Sequence, residues 1–319
     1  MPTVFENRRN QYRAIYEALH KYSRIKVKDL SAILGVNRHT ASRLLREAFR
    51  KGYILPPQIR KRSYANMKEY MYFVNCKDTL ESYLRYIEDM NVIYHAVMSG
   101  FANFWIIAKT EIDVDGDVLL EGYRSDYHVA YAPNHSWEKT MQIMQMKVDS
   151  FNPEMYTANG TLRTRWNEHI QWDSEDEILS REFKYGMRKE LTPIMRKNLI
   201  SAQKIYEFLD RISDCCTVFA RWFPETISAY DPYLFVFETD YEDFIIDLFS
   251  QLPTSSFFFM VEDRLFVYAN MAKEFLRCTE AYVSINRLQI PLLLKTLSER
   301  GILKSKAHAI LEYYYGKDL

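Results

Sequence analysis

The order strand, helix, strand, strand occurs twice in this 319-residue chain, about 162 residues apart. That recurrence restricts the possible folds more than any single motif does. In the first occurrence Tyr70 to Asn75 (YMYFVN) reads as a strand, and Asp78 as the cap of a helix, TLESYLRYIEDM, with Leu80, Tyr83, Leu84 and Ile87 as its apolar stripe. Asn91 to Met98 and Phe104 to Thr110 read as the next two strands. In the second occurrence Tyr233 to Glu238 is a strand, Asp240 caps YEDFIIDLFSQL, and Ser256 to Val261 and Leu265 to Ala269 are strands. Each run is the first half of a ferredoxin-like unit. Between them, Glu111 to about His135 reads as an inserted hairpin around Asp115-Gly116, before a helix at Trp137 to Val148. Leu288 to Ser298 and Lys304 to Tyr315 read as helical.

Upstream of the first run lies RIKVKDLSAILGVNRHTASRLLREAFRKGYI, Arg24 to Ile54. A helix at Tyr12 to His20 precedes a second at Val27 to Leu34, Gly35 suits the turn, and Asn37 caps a third helix. In that third helix Ala41, Leu44, Leu45 and Ala48 recur at helical spacing and face a core. The opposite face carries Arg38, His39, Ser42, Arg43 and Arg46. Arg38, His39 and Ser42 lie in the first turns, where recognition helices reach base edges. After Gly52 a strand begins at Tyr53-Ile54, Pro56-Pro57 breaks it, and Arg60-Lys61-Arg62 forms a basic tip before Met71 to Val74 returns, the outline of a wing placed against phosphates.

The repeat extends upstream as well. Lys184-Tyr185 matches Lys21-Tyr22, Leu191 matches Leu30, and Asn198, Ser201 and Ala202 match Asn37, Thr40 and Ala41. This alignment sets Arg196 against Gly35, Leu199 and Ile200 against Arg38 and His39, and Glu207 against Arg46. The second copy thus loses the cations, and residues 166–230 hold 9 Lys/Arg against 11 Asp/Glu. Residues 1–69 hold 16 Lys/Arg against 5 Asp/Glu, so a chain of zero net charge has a basic head and an acidic body. The reading is four domains: a winged helix at 1–68, a ferredoxin-like domain with an inserted hairpin at 69–165, a degenerate winged helix at 166–230 and a second ferredoxin-like domain at 231–319.

SRIKVKDLSAILGVNRHTASRLLREAFRKGYI resembles the DNA-binding head of the leucine-responsive, Lrp/AsnC-type regulators, through Ser23-Arg24-Ile25, Leu30, Leu34-Gly35-Val36 and Gly52-Tyr53-Ile54. The β-α-β-β run that follows is similar to the sensing and assembly domain of the same family. The resemblance implies an α+β fold, a winged helix-turn-helix plus a ferredoxin-like (RAM-like) α/β sandwich, here duplicated in tandem. It implies a transcription regulator and not an enzyme, with double-stranded DNA as partner through Arg38, His39, Thr40, Ser42, Arg43, Arg46, Arg60, Lys61 and Arg62. It also implies a homodimer or larger assembly, and a small-molecule effector near Gly100 to Asn103 and Val114 to Asp117.

Other classes are restricted by what the sequence lacks. No Walker, dinucleotide, GxSxG or HExxH pattern occurs, and Cys76, Cys215, Cys216 and Cys278 have no zinc spacing, so no cofactor, catalytic residue or metal is assigned. Asp113, Asp115 and Asp117 read as a turn before they read as a cation loop. No apolar run spans a membrane and the N-terminus has no apolar leader, so a cytoplasmic, nucleoid-associated protein is expected. Two alternatives stay open. Sirohaem decarboxylases, enzymes of haem biosynthesis, reuse paired winged helices and ferredoxin-like domains, and His95, Tyr94, Tyr127, His128 and His135 are candidates for a pocket. A non-specific architectural role on DNA is the other.

Overall fold

A computed structural model describes residues 4–272 and 290–316; Cys278 and the predicted helix start at Leu288 lie outside them. The chain is mixed α and β with antiparallel sheets, a winged helix-turn-helix plus ferredoxin-like architecture present twice. Its elements run α1 (Val4–Lys21), α2 (Val27–Ile33), α3 (Arg38–Arg50), β1 (Ile54–Lys61), β2 (Tyr70–Asn75), α4 (Thr79–Glu88), β3 (Val92–Gly100), β4 (Phe104–Ala108) and β5 (Asp117–Tyr123). They continue with β6 (His128–Val129), α5 (Trp137–Ser150), α6 (Ser174–Phe183), α7 (Leu191–Asn198), α8 (Ala202–Asp210), α9 (Ile212–Cys215) and β7 (Cys216–Trp222). The last are β8 (Tyr230–Glu238), α10 (Glu242–Phe249), β9 (Phe257–Val261), β10 (Arg264–Ala272), α11 (Ile290–Glu299) and β11 (Ser305–Gly316). Like associates with like: Met1–Lys61 and Ile170–Ala229 form a head unit, and Arg62–His169 and Tyr230–Leu319 a body unit.

In the head unit the predicted helix-turn-helix forms where its local chemistry places it. The Asn37 side chain accepts from the Thr40 N–H at 2.8 Å, Gly35 takes a φ of 63°, and Ala41, Leu44, Leu45 and Ala48 are buried. The free wing does not form. Pro56-Pro57 lie at a register shift inside β1, which continues to Lys61 and pairs antiparallel with β7 from the second copy. Each copy's first helix then crosses over. Tyr16 on α1 stacks on Trp222 of β7 at 5.7 Å, and Lys61 at the end of β1 pairs with Glu177 of α6 at 3.2 Å. Arg24 donates to the Met187 carbonyl while Arg188 donates to the Ser23 carbonyl, a reciprocal exchange at a spacing of 164 residues.

That spacing corrects the register of the repeat. α7 ends at Leu199, which occupies the left-handed conformation (φ 55°) that Gly35 holds in the first copy, and Ser201 is the N-cap of α8, accepting from Lys204 N. Leu199 therefore replaces Gly35, Ser201 replaces Asn37, Glu207 replaces Arg43 and Asp210 replaces Arg46. The sequence alignment was three residues out.

In the body unit the sheet order is β5-β2-β4-β3-β11-β8-β10-β9-β6, antiparallel throughout. The first four and the next four strands each have the ferredoxin-like arrangement, joined by the β3–β11 ladder from Gly100↔Ala309 to Tyr94↔Gly316. The expected hairpin at Asp115-Gly116 is instead the entry to β5, which pairs with β2. Lys304 to Tyr315, read as helix, is the strand β11; its run of tyrosines suits a pleated surface. Asp240 does not cap α10 but pairs with Lys304 at 2.6 Å. On α4 Asp78 does cap, accepting from Leu80 N and Glu81 N. Yet Leu80 and Leu84 are exposed, and Ser82 and Tyr86 are the buried pair.

The two half-sheets face each other across an aromatic interior. Phe73 of β2 stacks on Phe266 of β10 at 4.5 Å, and Trp105 of β4 on Phe259 of β9 at 6.1 Å, although neither pair of strands is adjacent in the sheet. Gly100 sits at the joint, and a Cβ there would lie 2.2 Å from the His308 carbonyl oxygen and 2.5 Å from Ala309 Cα. Both neighbours are backbone and neither can rotate away. Gly100→Ala is expected to destabilise the protein by about 1–3 kcal/mol, read by urea denaturation, with loss of the body unit's cooperative transition as the extreme outcome. An unchanged midpoint would show that the joint does not depend on this close approach.

Candidate functional site

The expected nucleic-acid face is divided in the structure. Arg38, His39, Arg43 and Arg46 are exposed on α3, and Thr40 and Ser42 are half-buried beside them. The basic triplet that was to form the wing tip is engaged elsewhere. Arg60 donates to the Lys184 carbonyl at 3.1 Å and lies over the Tyr185 ring at 4.8 Å. Lys61 pairs with Glu177, and Arg62 lies 3.6 Å from Asp126 in the body unit. The physical reason is that β1 is a paired strand, so its side chains meet the second copy and not solvent.

The pocket group inferred from the sequence does not converge either. His95 is fully buried on the α4 side of the sheet, edge-on to Tyr83 at 4.7 Å and stacked on Phe104 at 5.7 Å. Tyr94 and Tyr127 turn to the aromatic interior, 5.1 Å from Trp105 and 5.3 Å from Phe259 respectively. His128 turns to Phe258, and His135 precedes α5. The loops expected to bind an effector brace the sheet. Asn103 bonds Cys76 through both side-chain atoms at 2.8 Å, and Asp115 is paired with Arg85.

The structure concentrates charge at a place the sequence reading passed over, the seam where the two outer edges of the body sheet meet. After β5 the chain passes directly to β9: Arg124 bridges to Val261, and Ser125 N donates to the Met260 carbonyl at 2.9 Å. The Arg124 side chain is fully buried. Its Nε donates to Glu69 Oε2 at 2.7 Å, its Nη1 to the Ser125 carbonyl at 2.8 Å, and its guanidinium lies 4.3 Å from the Tyr127 ring centre. Burial alone would lower the Arg124 pKa, but the Glu69 carboxylate and the Tyr127 ring outweigh it and hold it above its ordinary value. One step along, Asp126 accepts from Ser63 N at 2.7 Å and Arg165 Nε at 3.1 Å, with Arg62 at 3.6 Å. Trp166 Nε1 donates to Ser63 Oγ and to the Arg124 carbonyl, both at 3.1 Å, tying the two ion groups together. The sign in the sequence was the triplet Arg124-Ser125-Asp126 between Tyr123 and Tyr127, charge inside an aromatic strand. Its partners, Glu69 and Arg165, are 55 and 39 residues away.

Beside the seam, Asp243 at the start of α10 accepts backbone N–H groups from Asn159, Gly160 and Thr161 at 2.5, 3.0 and 3.0 Å. Burial opposes its ionisation, but these donors outweigh burial and hold the carboxyl below its ordinary pKa. They pin the loop that leads to Arg163 and Arg165. The His128 imidazole is pushed below its usual pKa by burial, with Asp243 acting in the opposite direction, so it is neutral at neutral pH.

Across nearly its whole length the chain is similar to two solved structures of the siroheme decarboxylase NirDL. One matches with a TM-score of 0.48 and 11% identity over 97% of this chain and 93% of that chain. The other, a co-complex with an iron-uroporphyrin III analogue, matches with a TM-score of 0.47 and 11% identity over the same shares. No family model matches the sequence, and no curated protein does. The Lrp/AsnC-like fold expected from the sequence stands. The reading as a DNA-binding transcription regulator that is not an enzyme is corrected: both matched structures are of a siroheme decarboxylase, and the likeness to them is one of fold. No helix of the described residues is long and apolar enough to cross a membrane.

Two measurements test the seam. Glu69→Leu leaves a buried guanidinium without its carboxylate and is expected to cost about 3–5 kcal/mol, whereas Glu69→Leu with Arg124→Met should recover most of that loss; a purely additive double variant would show that the pair is not coupled. For His128 the folded pKa lies below the unfolded value. Stability is therefore full above the unfolded pKa and is lost as pH falls from about 6.5 through the folded pKa. His128→Phe should flatten the melting-temperature curve in that window, and an identical slope in the variant would exclude His128 as its source.

Proposed function

We propose that the protein is an enzyme acting on a flat, multiply carboxylated ring system, a tetrapyrrole of the sirohaem class, held at the seam of the body unit. The observation that carries this reading is the charge balance there. Three guanidiniums, Arg62, Arg124 and Arg165, surround two buried carboxylates, Glu69 and Asp126. Arg165 also meets Glu168, but that carboxylate is exposed, and such pairs contribute little. Tyr127 lies against this cluster, and with Tyr94, Phe101 and Tyr268 it is only partly buried against the aromatic interior. A guanidinium is a planar, bidentate partner for carboxylate, and aromatic rims stack on flat rings. Together they suit a ligand with an aromatic body and an acidic margin.

The residues divide by role. Arg124, fully buried and saturated by Glu69 and Ser125, positions the Tyr127 ring. Arg62 and Arg165 share one carboxylate and keep donors to turn towards ligand carboxyl groups. Asp243 holds the loop that brings Arg165 to the seam. In the reaction a carbon–carboxyl bond would break, carbon dioxide would leave, and a proton would replace it on the ring substituent.

Titration of the purified protein with iron-uroporphyrin III is expected to give a saturable change in the porphyrin absorbance band. Arg165→Ala and Arg62→Ala should each weaken it by roughly tenfold, the loss of one charge-assisted hydrogen bond. Incubation with sirohaem should release carbon dioxide. Absence of any spectral change, or binding by both arginine variants as tight as wild type, would remove the seam as the site.

A further inference from the structure

We infer that the α3 face of one copy of this chain docks on the α8 face of a second copy. The two helices hold equivalent places in the two winged helices of the head unit, yet their outward faces are opposite in sign and in size. α3 presents Arg43 and Arg46, both exposed, with two small residues before them, Gly35 in the turn that precedes the helix and Ser42 next to Arg43. At the matching positions α8 presents Glu207 and Asp210, both exposed, and the bulky Leu199 and Tyr206, which are 90% and 58% exposed. Acid stands where the other face has arginine, and a large side chain stands where the other has glycine or serine. Each face is exposed, so the two do not cover each other within a chain.

Leu199 strengthens the argument because it is expensive where it stands. At φ 55° a branched side chain is disfavoured and glycine is the usual occupant, as in the first copy. The side chain is almost wholly exposed, so it contributes nothing to the core that would offset the strain. A second copy's helix-turn-helix, small at Gly35 and Ser42 and open around Gly35, leaves room for it. Exposed ion pairs alone hold little. Leu199 and Tyr206 supply the apolar contact, and the arginine–carboxylate set supplies orientation and salt dependence. The contact is between unlike faces, so it closes only if the rotation between copies permits, and otherwise propagates.

The test is sedimentation of the full chain after nuclease treatment, at low and high salt. Wild type should self-associate and loosen at high salt. Arg43→Glu with Arg46→Glu, and separately Glu207→Arg with Asp210→Arg, should each sediment as a single copy with an unchanged thermal melt. A one-to-one mixture of the two should associate again, because each offers the face the other needs. Leu199→Gly should weaken wild-type association at least tenfold while leaving the fold intact. The inference is overturned by a wild type that stays a single copy throughout, by charge reversals that leave the assembly in place, by a mixture that fails to re-associate, or by an assembly that exists only while nucleic acid is present.

Discussion

The β3–β11 ladder is the contact on which the body unit depends. A ferredoxin-like sheet alone leaves two edge strands with unpaired backbone groups, and a chain with two such sheets has four edges to satisfy. β11 pairs with β8 inside its own half and with β3 of the other, so one strand removes two edges at once. Gly100 makes the join possible, because the partner backbone comes within the space a side chain would fill. Once the halves are joined their inner faces turn towards each other, and Phe73, Trp105, Phe259 and Phe266 form one shared core where each half alone would expose it.

The head unit solves the same problem with the same means. A winged helix with a free wing offers its strand to a nucleic acid or to another strand. Here β1 and β7 take each other, and the cations of β1 are satisfied by carbonyls, rings and carboxylates from the second copy. The reciprocal Arg24 and Arg188 contacts show that the pairing is two-fold in its logic even though the sequences have diverged. The net charge of +11 on residues 1–69 is thus a poor guide to what that segment binds, since Arg24, Arg60 and Lys61 are engaged by carbonyls, a ring and a carboxylate of the second copy.

What could be read from the sequence was what local chemistry decides. The Asn37 cap, the Gly35 turn, the Asp78 cap and both β-α-β-β runs formed as expected, since each depends on residues within a few positions of one another. The errors share a cause in distance. A three-residue slip in the repeat brings a helix back to nearly the same face, so the apolar pattern of α7 and α8 could not reveal it; the left-handed Leu199 does. The stripe on α4 was correctly apolar, but amphipathicity does not say whether a face is covered, and Leu80 and Leu84 are not. The seam was illegible because a fully buried arginine is recognised only by a partner, and Glu69 lies on the far side of four strands of intervening sequence.

That seam also answers why charge is used where the rest of the interior is aromatic. An apolar contact between β5 and β9 would tolerate sliding, and a one-residue slip would turn every side chain of an edge strand to the wrong face. Arg124 does not tolerate it. Its guanidinium is held by Glu69 Oε2 and the Ser125 carbonyl, its ring partner is Tyr127, and its backbone bridges Val261. A shifted register would bury that charge unpaired, which costs several kcal/mol per ion, on the order of the whole margin of a folded domain. The ion pair therefore adds little to stability relative to an apolar contact and much to the choice of register. In fixing the register it also sets Asp126 and the two arginines around it in one place, and the charged site is a consequence of how the sheet is closed.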